Sequence, residues 1–190
     1  MAKQNGINSA TYNEFLIDSG KLYLNYGEAG EVALGATRGG SSFAINTEYR
    51  DMPVDGAKGP VKGGRRITKV EAVMTVNMVE IDATLLNKAI PGSTKADYPT
   101  TPAKTHDKIT RALALLTTDY ITNVAIVGEV SGTTTKYFVG ILKNVIADGN
   151  LEIGFVDNDE SVISIQWKAH FDPTAMETEP WEIRWPILTT

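Results

Sequence analysis

Two histidines with carboxylates beside them, His106–Asp107 and His170 close to Asp172, are the residues of this sequence best suited to acid–base chemistry. A His–Asp pair orients an imidazole toward a nucleophile. The nucleophile is missing: there is no Gly-x-Ser-x-Gly elbow, and the chain has no cysteine. Two histidines far apart in sequence also exclude a multi-histidine metal centre. Asp157-Asn158-Asp159-Glu160 resembles the start of a calcium loop, but it lacks glycine at the sixth position and lies between strand patterns, so a turn is the better reading. Gly56-Ala-Lys-Gly-Pro-Val-Lys-Gly-Gly-Arg-Arg66 invites a phosphate-loop reading. It has no Gly-Lys-Ser/Thr, Pro60 removes an amide donor, and a strand follows where a helix is needed. Glu177 and Glu179 could form a glycosidase pair, and Trp167, Trp181 and Trp185 could line a sugar site. Nothing fixes the glutamates in a cleft, and the tryptophans fall on apolar strand faces where core packing is their expected role. The expectation is a protein that is not an enzyme and holds no cofactor or metal.

The elements around these residues are mostly strands. Ile163, Ile165, Trp167, Ala169 and Phe171 alternate with polar residues, the period of a half-buried strand. Phe43 to Tyr49 alternates likewise. In Ile67–Glu80, Val70, Ala72, Met74, Val76 and Met78 share one face. Val124, Ile126 and Val130, then Tyr137, Val139 and Ile141, flank a turn at Ser131-Gly132. Leu151, Ile153 and Phe155 follow a turn at Asp148-Gly149-Asn150. Lys21–Tyr26 and Trp181–Trp185 complete the set, and Ile109–Leu116 is read as strand. One helix is expected: Asp82 is a good N-cap, Leu85, Leu86, Ala89 and Ile90 share a face, and Pro91-Gly92 stops it. The expected fold is mainly β, an antiparallel sandwich or barrel with one flanking α-helix. It forms a single domain over residues 1–190, with an N-terminal arm at 1–19, a long loop at 51–66 and an irregular surface loop at 93–106.

The chain has 190 residues, 42% of them hydrophobic and 22% charged, a balance that supports a soluble globular core. The net charge of −5 argues against a protein that wraps nucleic acid by neutralising phosphates. No apolar run marks a secretory signal or a membrane helix, so neither export by a signal peptide nor a membrane partner is expected. The charges are segregated. Between Gly56 and Val70 they are all basic: Lys58, Lys62, Arg65, Arg66 and Lys69. From Asp148 onward nine acidic residues face only Lys168 and Arg184. Such asymmetry suits contact between copies, with the basic segment meeting the acidic turn Asp157–Glu160 or another acidic surface of a neighbour.

Three segments carry a family resemblance: Gly35-Ala-Thr-Arg-Gly-Gly-Ser-Ser-Phe-Ala-Ile-Asn-Thr-Glu-Tyr-Arg-Asp-Met-Pro-Val-Asp-Gly-Ala-Lys-Gly-Pro-Val-Lys-Gly63, Asp119-Tyr-Ile-Thr-Asn-Val-Ala-Ile-Val-Gly128, and Lys168-Ala-His-Phe-Asp172. Together they resemble the major tail tube proteins of long-tailed bacteriophages with non-contractile tails, from about Gly20 to Pro186. The resemblance implies a β-sandwich with a flanking helix, made in the bacterial host cytoplasm and placed in the virion tail. It implies hexameric rings whose inner sheets join into one continuous barrel, stacked around the tape measure protein, with DNA later passing through without specific binding. It implies lumen strands Ser42–Arg50 and Ile67–Glu80, with Asp51–Arg66 ordered on assembly. Asn46, Glu48, Glu71, Thr75 and Asn77 are then the candidates to line the lumen. Arg38, Lys58, Lys62, Arg65, Arg66, Asp157, Asp159 and Glu160 are the candidates for the assembly interface. The physical reading agrees in kind: a glycine-rich like-charged loop is ordered by a partner, joined sheets remove open edges, and an acidic bore would not hold phosphates. A tube subunit of a contractile tail or secretion apparatus, and a monomeric β-sandwich binding module, stand as alternatives. Charge reversal at Arg65 and Arg66 is expected to abolish tubes in electron micrographs while the monomer still folds; normal tubes from the reversed protein would contradict it.

Overall fold

The computed structural model describes residues 11–98, 103–133 and 135–187. Ten strands and one helix follow in order: β1 (Leu16–Leu24), β2 (Val32–Ala33), β3 (Thr37–Asp51), β4 (Arg65–Met78), α1 (Ala83–Ala89), β5 (Ser93–Tyr98), β6 (His106–Arg111), β7 (Ile121–Val130), β8 (Tyr137–Asp148), β9 (Ile163–Lys168) and β10 (Trp181–Arg184). The fold is mainly β, with one helix and all pairings antiparallel.

The main sheet runs β2-β1-β7-β8-β9-β4-β3, with β10 on β8. The path bends within β8. Residues up to Val145 pair with β7, and Ile146–Asp148 pair with β9. Asn144 marks the corner with φ 49°, a left-handed conformation that asparagine tolerates, and its side-chain amide donates to His170 O at 3.3 Å. The bend brings the two halves of the path face to face. Leu22, Leu24, Val124, Ile126 and Leu142 from one half meet Ala72, Met74, Val76, Met78, Ile163, Ile165 and Trp167 from the other in one core. Alternation decides which side chains go in: on β9, Ile163, Ile165 and Trp167 are sealed while Ser164 and Gln166 are exposed.

The helix forms where the sequence places it. Asp82 Oδ1 accepts from the Leu85 amide at 2.6 Å, Leu85 and Ala89 are buried, and Gly92 at φ 72° lets the chain turn away under Leu115.

Five expectations change. The expected irregular loop at 93–106 is a strand over Ser93–Tyr98 and again from His106: β5 and β6 form a separate two-stranded hairpin, in register from Ser93↔Arg111 to Tyr98↔His106, while residues 99–102 lie outside the described part. Neither face is apolar, so hydrophobic alternation gives no signal. The hairpin is held by Thr94–Thr110 at 3.3 Å and by Lys104 against Asp97 at 3.0 Å and Asp107 at 2.7 Å. Leu151–Phe155 alternates but is not a strand, because the edge of β8 is already taken by β9 and β10, and Phe155 is 93% exposed. The strand read over Ile109–Leu116 ends at Arg111, leaving Leu113, Leu115 and Leu116 exposed. Trp185 is half exposed, edge-on to Phe138 at 6.0 Å, and is not a core residue. The first strand starts at Leu16, inside the segment read as an arm at 1–19, while residues 1–10 lie outside the described part.

Trp167 is wholly buried, and its indole N–H has no acceptor among the described residues. Trp167→Ala is expected to lose about 3–5 kcal/mol in urea unfolding through the cavity it opens. Trp167→Phe should cost far less, because the lost donor was unsatisfied. Equal losses for the two would contradict this packing.

Candidate assembly surface

Directly opposed residues of an antiparallel pair share a face. The register therefore assembles the outer face of β8, β9, β4 and β3 row by row. Ser42, Thr75, Gln166 and Asp148 form one row, and Asn46 stands opposite Glu71, Glu48 opposite Lys69, and Asn77 opposite Ser164. All five residues expected to line a lumen, Asn46, Glu48, Glu71, Thr75 and Asn77, lie on this one face. Asn77 also donates to Gly40 O at 3.2 Å, steadying the bulge at Gly39-Gly40.

Across the face runs a ladder of alternating charge: Asp148–Lys168 at 3.6 Å, Lys168–Glu71 at 2.8 Å, Glu71–Lys69 at 3.2 Å and Lys69–Glu48 at 3.6 Å. Hydrogen bonds from Lys168 and then Lys69 hold the Glu71 carboxyl below its usual range, and Glu71 raises Lys168 in return. Three carboxylates against two ammonium groups leave this ladder nearly neutral, so the chain's net −5 is not concentrated here. Asp148, Lys168, Lys69 and Gln166 were absent from the sequence-derived set. The alternate face of the Ile163–Lys168 pattern is the signal that finds Gln166 and Lys168.

Beyond this face β3 and β4 continue as a two-stranded arm, paired as far as Asp51↔Arg65. The turn is therefore residues 52–64, shorter than the expected 51–66 loop. Residues 48–69 are exposed except Gly64, which is partly buried, and they include Tyr49, Met52, Val54, Val61 and Ile67. Arg65 stacks on the Tyr49 ring at 4.3 Å and lies 3.7 Å from Asp51. Lys58, Lys62 and Arg66 make no ion pair among the described residues. β3 pairs only with β4, so the outer edge of its fifteen residues is open among the described strands.

Arg38 is a neighbour of Asp159 and Glu160 in its own chain. Its Nη1 donates to Asp159 at 2.6 Å and Glu160 at 2.9 Å, clasping loop 149–162 to the start of β3. Two carboxylates of the expected docking turn thus already have a cation, and Asp157 is left exposed beside them.

Neither histidine is hydrogen-bonded to the aspartate near it. His170 Nδ1 lies 3.2 Å from Lys168 O and its ring sits edge-on to Tyr120 at 5.2 Å, while Asp172 accepts from the Thr174 amide and hydroxyl. His106 Nδ1 lies 2.8 Å from Thr105 Oγ1. Among the described residues no three His, Asp or Glu side chains cluster as metal ligands, and no helix is long and apolar enough to cross a membrane. No protein-family model and no curated protein matches the chain.

Hydrogen bonds from Arg38, then from Glu160, pull the Asp159 carboxyl down to about 2. A depressed carboxyl stabilises the fold above its ordinary value near ~3.9 and loses that contribution as pH falls toward its folded value. In a carbon-detected NMR titration the Asp159 midpoint should be near the folded value in the natural chain and rise toward the ordinary one in Arg38→Gln. An unmoved midpoint would contradict the clasp.

Proposed function

We propose that this chain is a structural subunit of a bacteriophage tail tube, forming hexameric rings that stack around a tape measure protein and later conduct DNA. The observation that carries the reading is the β3–β4 arm. Half of a long hairpin leaves the body, exposes five large apolar side chains and four cations without an ion pair among the described residues, and leaves a fifteen-residue edge open among the described strands. Exposed edges and apolar arms invite association, and a protein that keeps them has a partner for them. Copies of the same chain are the partner proposed here. Pairing of open edges from copy to copy would join the β8-β9-β4-β3 sheets into a continuous wall.

In that wall the polar face would line the bore. Its ammonium groups are committed to Glu71, Glu48 and Asp148, so they offer phosphates little unpaired positive charge. DNA affinity grows with the number of phosphates neutralised. A balanced, hydrated face therefore suits a polymer that has to slide.

Sizing of the purified protein followed by negative-stain microscopy at increasing concentration tests this. Rings or tubes with an open centre are expected; a monomer at every concentration would contradict the reading and favour a monomeric binding module.

A further inference from the structure

A cleft of about 430 Å3 opens beside the corner of β8, between β10 and the 172–180 segment. Its charged lining is Glu28, Lys143, Asp172, Glu179, Glu182 and Arg184. Glu182 is neutralised by Arg184 at 2.7 Å and Lys143 at 3.3 Å. Glu28, Asp172 and Glu179 pair with no cation among the described residues; Glu179 accepts from the Trp181 indole at 3.1 Å and Asp172 from Thr174. Four carboxylates against two cations thus leave the polar cleft net negative, with Glu28, Asp172 and Glu179 lacking a cation partner among the described residues. The arm tip and its base carry four cations with no ion pair among the described residues, Arg50, Lys58, Lys62 and Arg66, against one carboxylate without a cation, Asp55, and the acidic turn at 157–160 is already held by Arg38.

The two charge sets cannot meet within one molecule. β9 runs toward the arm, from Ile163 opposite Met78 to Lys168 opposite Val73, and Ala169 donates to Ala72 O at 3.0 Å. The cleft residue Asp172 therefore sits at the end of the sheet from which the arm departs. From Ala72 the paired strands continue seven residues to Arg65. At about 3.3 Å per residue that is roughly 23 Å, and the tip lies further still. A copy displaced along the arm axis brings its own cleft to that tip.

We infer that the cleft receives the arm tip of another copy, with Lys58 and Lys62 seated against Glu28, Asp172 and Glu179. This rests on the tube reading and names its axial contact. The surfaces are different on the two partners, and repetition along the arm does not close, so the contact extends a stack and does not close a ring. Opposed charge also sets the register of docking and makes stacking sensitive to salt.

Paired charge reversals test it. The cleft variant Glu28→Lys/Glu179→Lys and the arm variant Lys58→Glu/Lys62→Glu should each form rings but raise the protein concentration needed for tubes by about tenfold or more. The milder Glu28→Gln/Glu179→Gln guards against misfolding and should shift it in the same direction, with circular dichroism confirming the fold of each variant. Combining the two reversals in one chain should restore tubes. Tubes from the cleft variants at the natural concentration, or no restoration in the combined chain, would overturn the cleft assignment alone. Failure of the natural chain to form either rings or tubes would overturn the tube reading and this inference with it.

Discussion

Strict two-facedness of β4 is the constraint on which the rest of this structure depends. Ala72, Met74, Val76 and Met78 are fully buried on one side, so Glu71, Val73, Thr75 and Asn77 are fixed on the other. A slip of one residue would put a carboxylate into the core and methionines into water. Register is therefore locked over the body. β3 stays paired to β4 from Thr37 to Asp51, and a one-residue shift between Glu48 and Tyr49 sets the register that continues along the arm. The polar ladder, the reach of the arm and the position of its cations all follow from that one alignment.

The corner at Asn144 plays the complementary part. It folds the sheet path over so that β7 and β8 can cover β4 and β9, and it parts β10 from β9 on the shared edge of β8. The parting leaves the polar cleft, and the fold-over leaves the far face of β4 uncovered. A single left-handed residue thus both encloses the core and exposes the two surfaces that a neighbour would use.

Much of this was legible in the residues. Apolar alternation in Ile67–Glu80 and Ile163–Phe171 identified the buried faces, and Asp82 with Pro91-Gly92 bounded the helix. The five polar residues grouped from the strand pattern do share a face. What stayed hidden had no apolar periodicity or depended on contacts distant in sequence. The β5–β6 hairpin is held by threonines and ion pairs, so nothing in it alternates hydrophobically. Leu151–Phe155 alternates, yet the edge of β8 that it follows is already taken by β9 and β10. The Arg38 clasp joins residues 121 positions apart, a pairing that local charge counts assign to a neighbour as readily as to the same chain.

The central claim is that the open edge of β3 and the turn at 52–64 are completed by other copies. Hydrogen exchange read by mass spectrometry on dilute and on assembled protein measures this directly. The account predicts fast exchange of residues 52–64 and of the outward amides of β3 in the monomer, with strong protection on assembly. Exchange in these segments that is already slow in the monomer, or unchanged in the assembly, would contradict it.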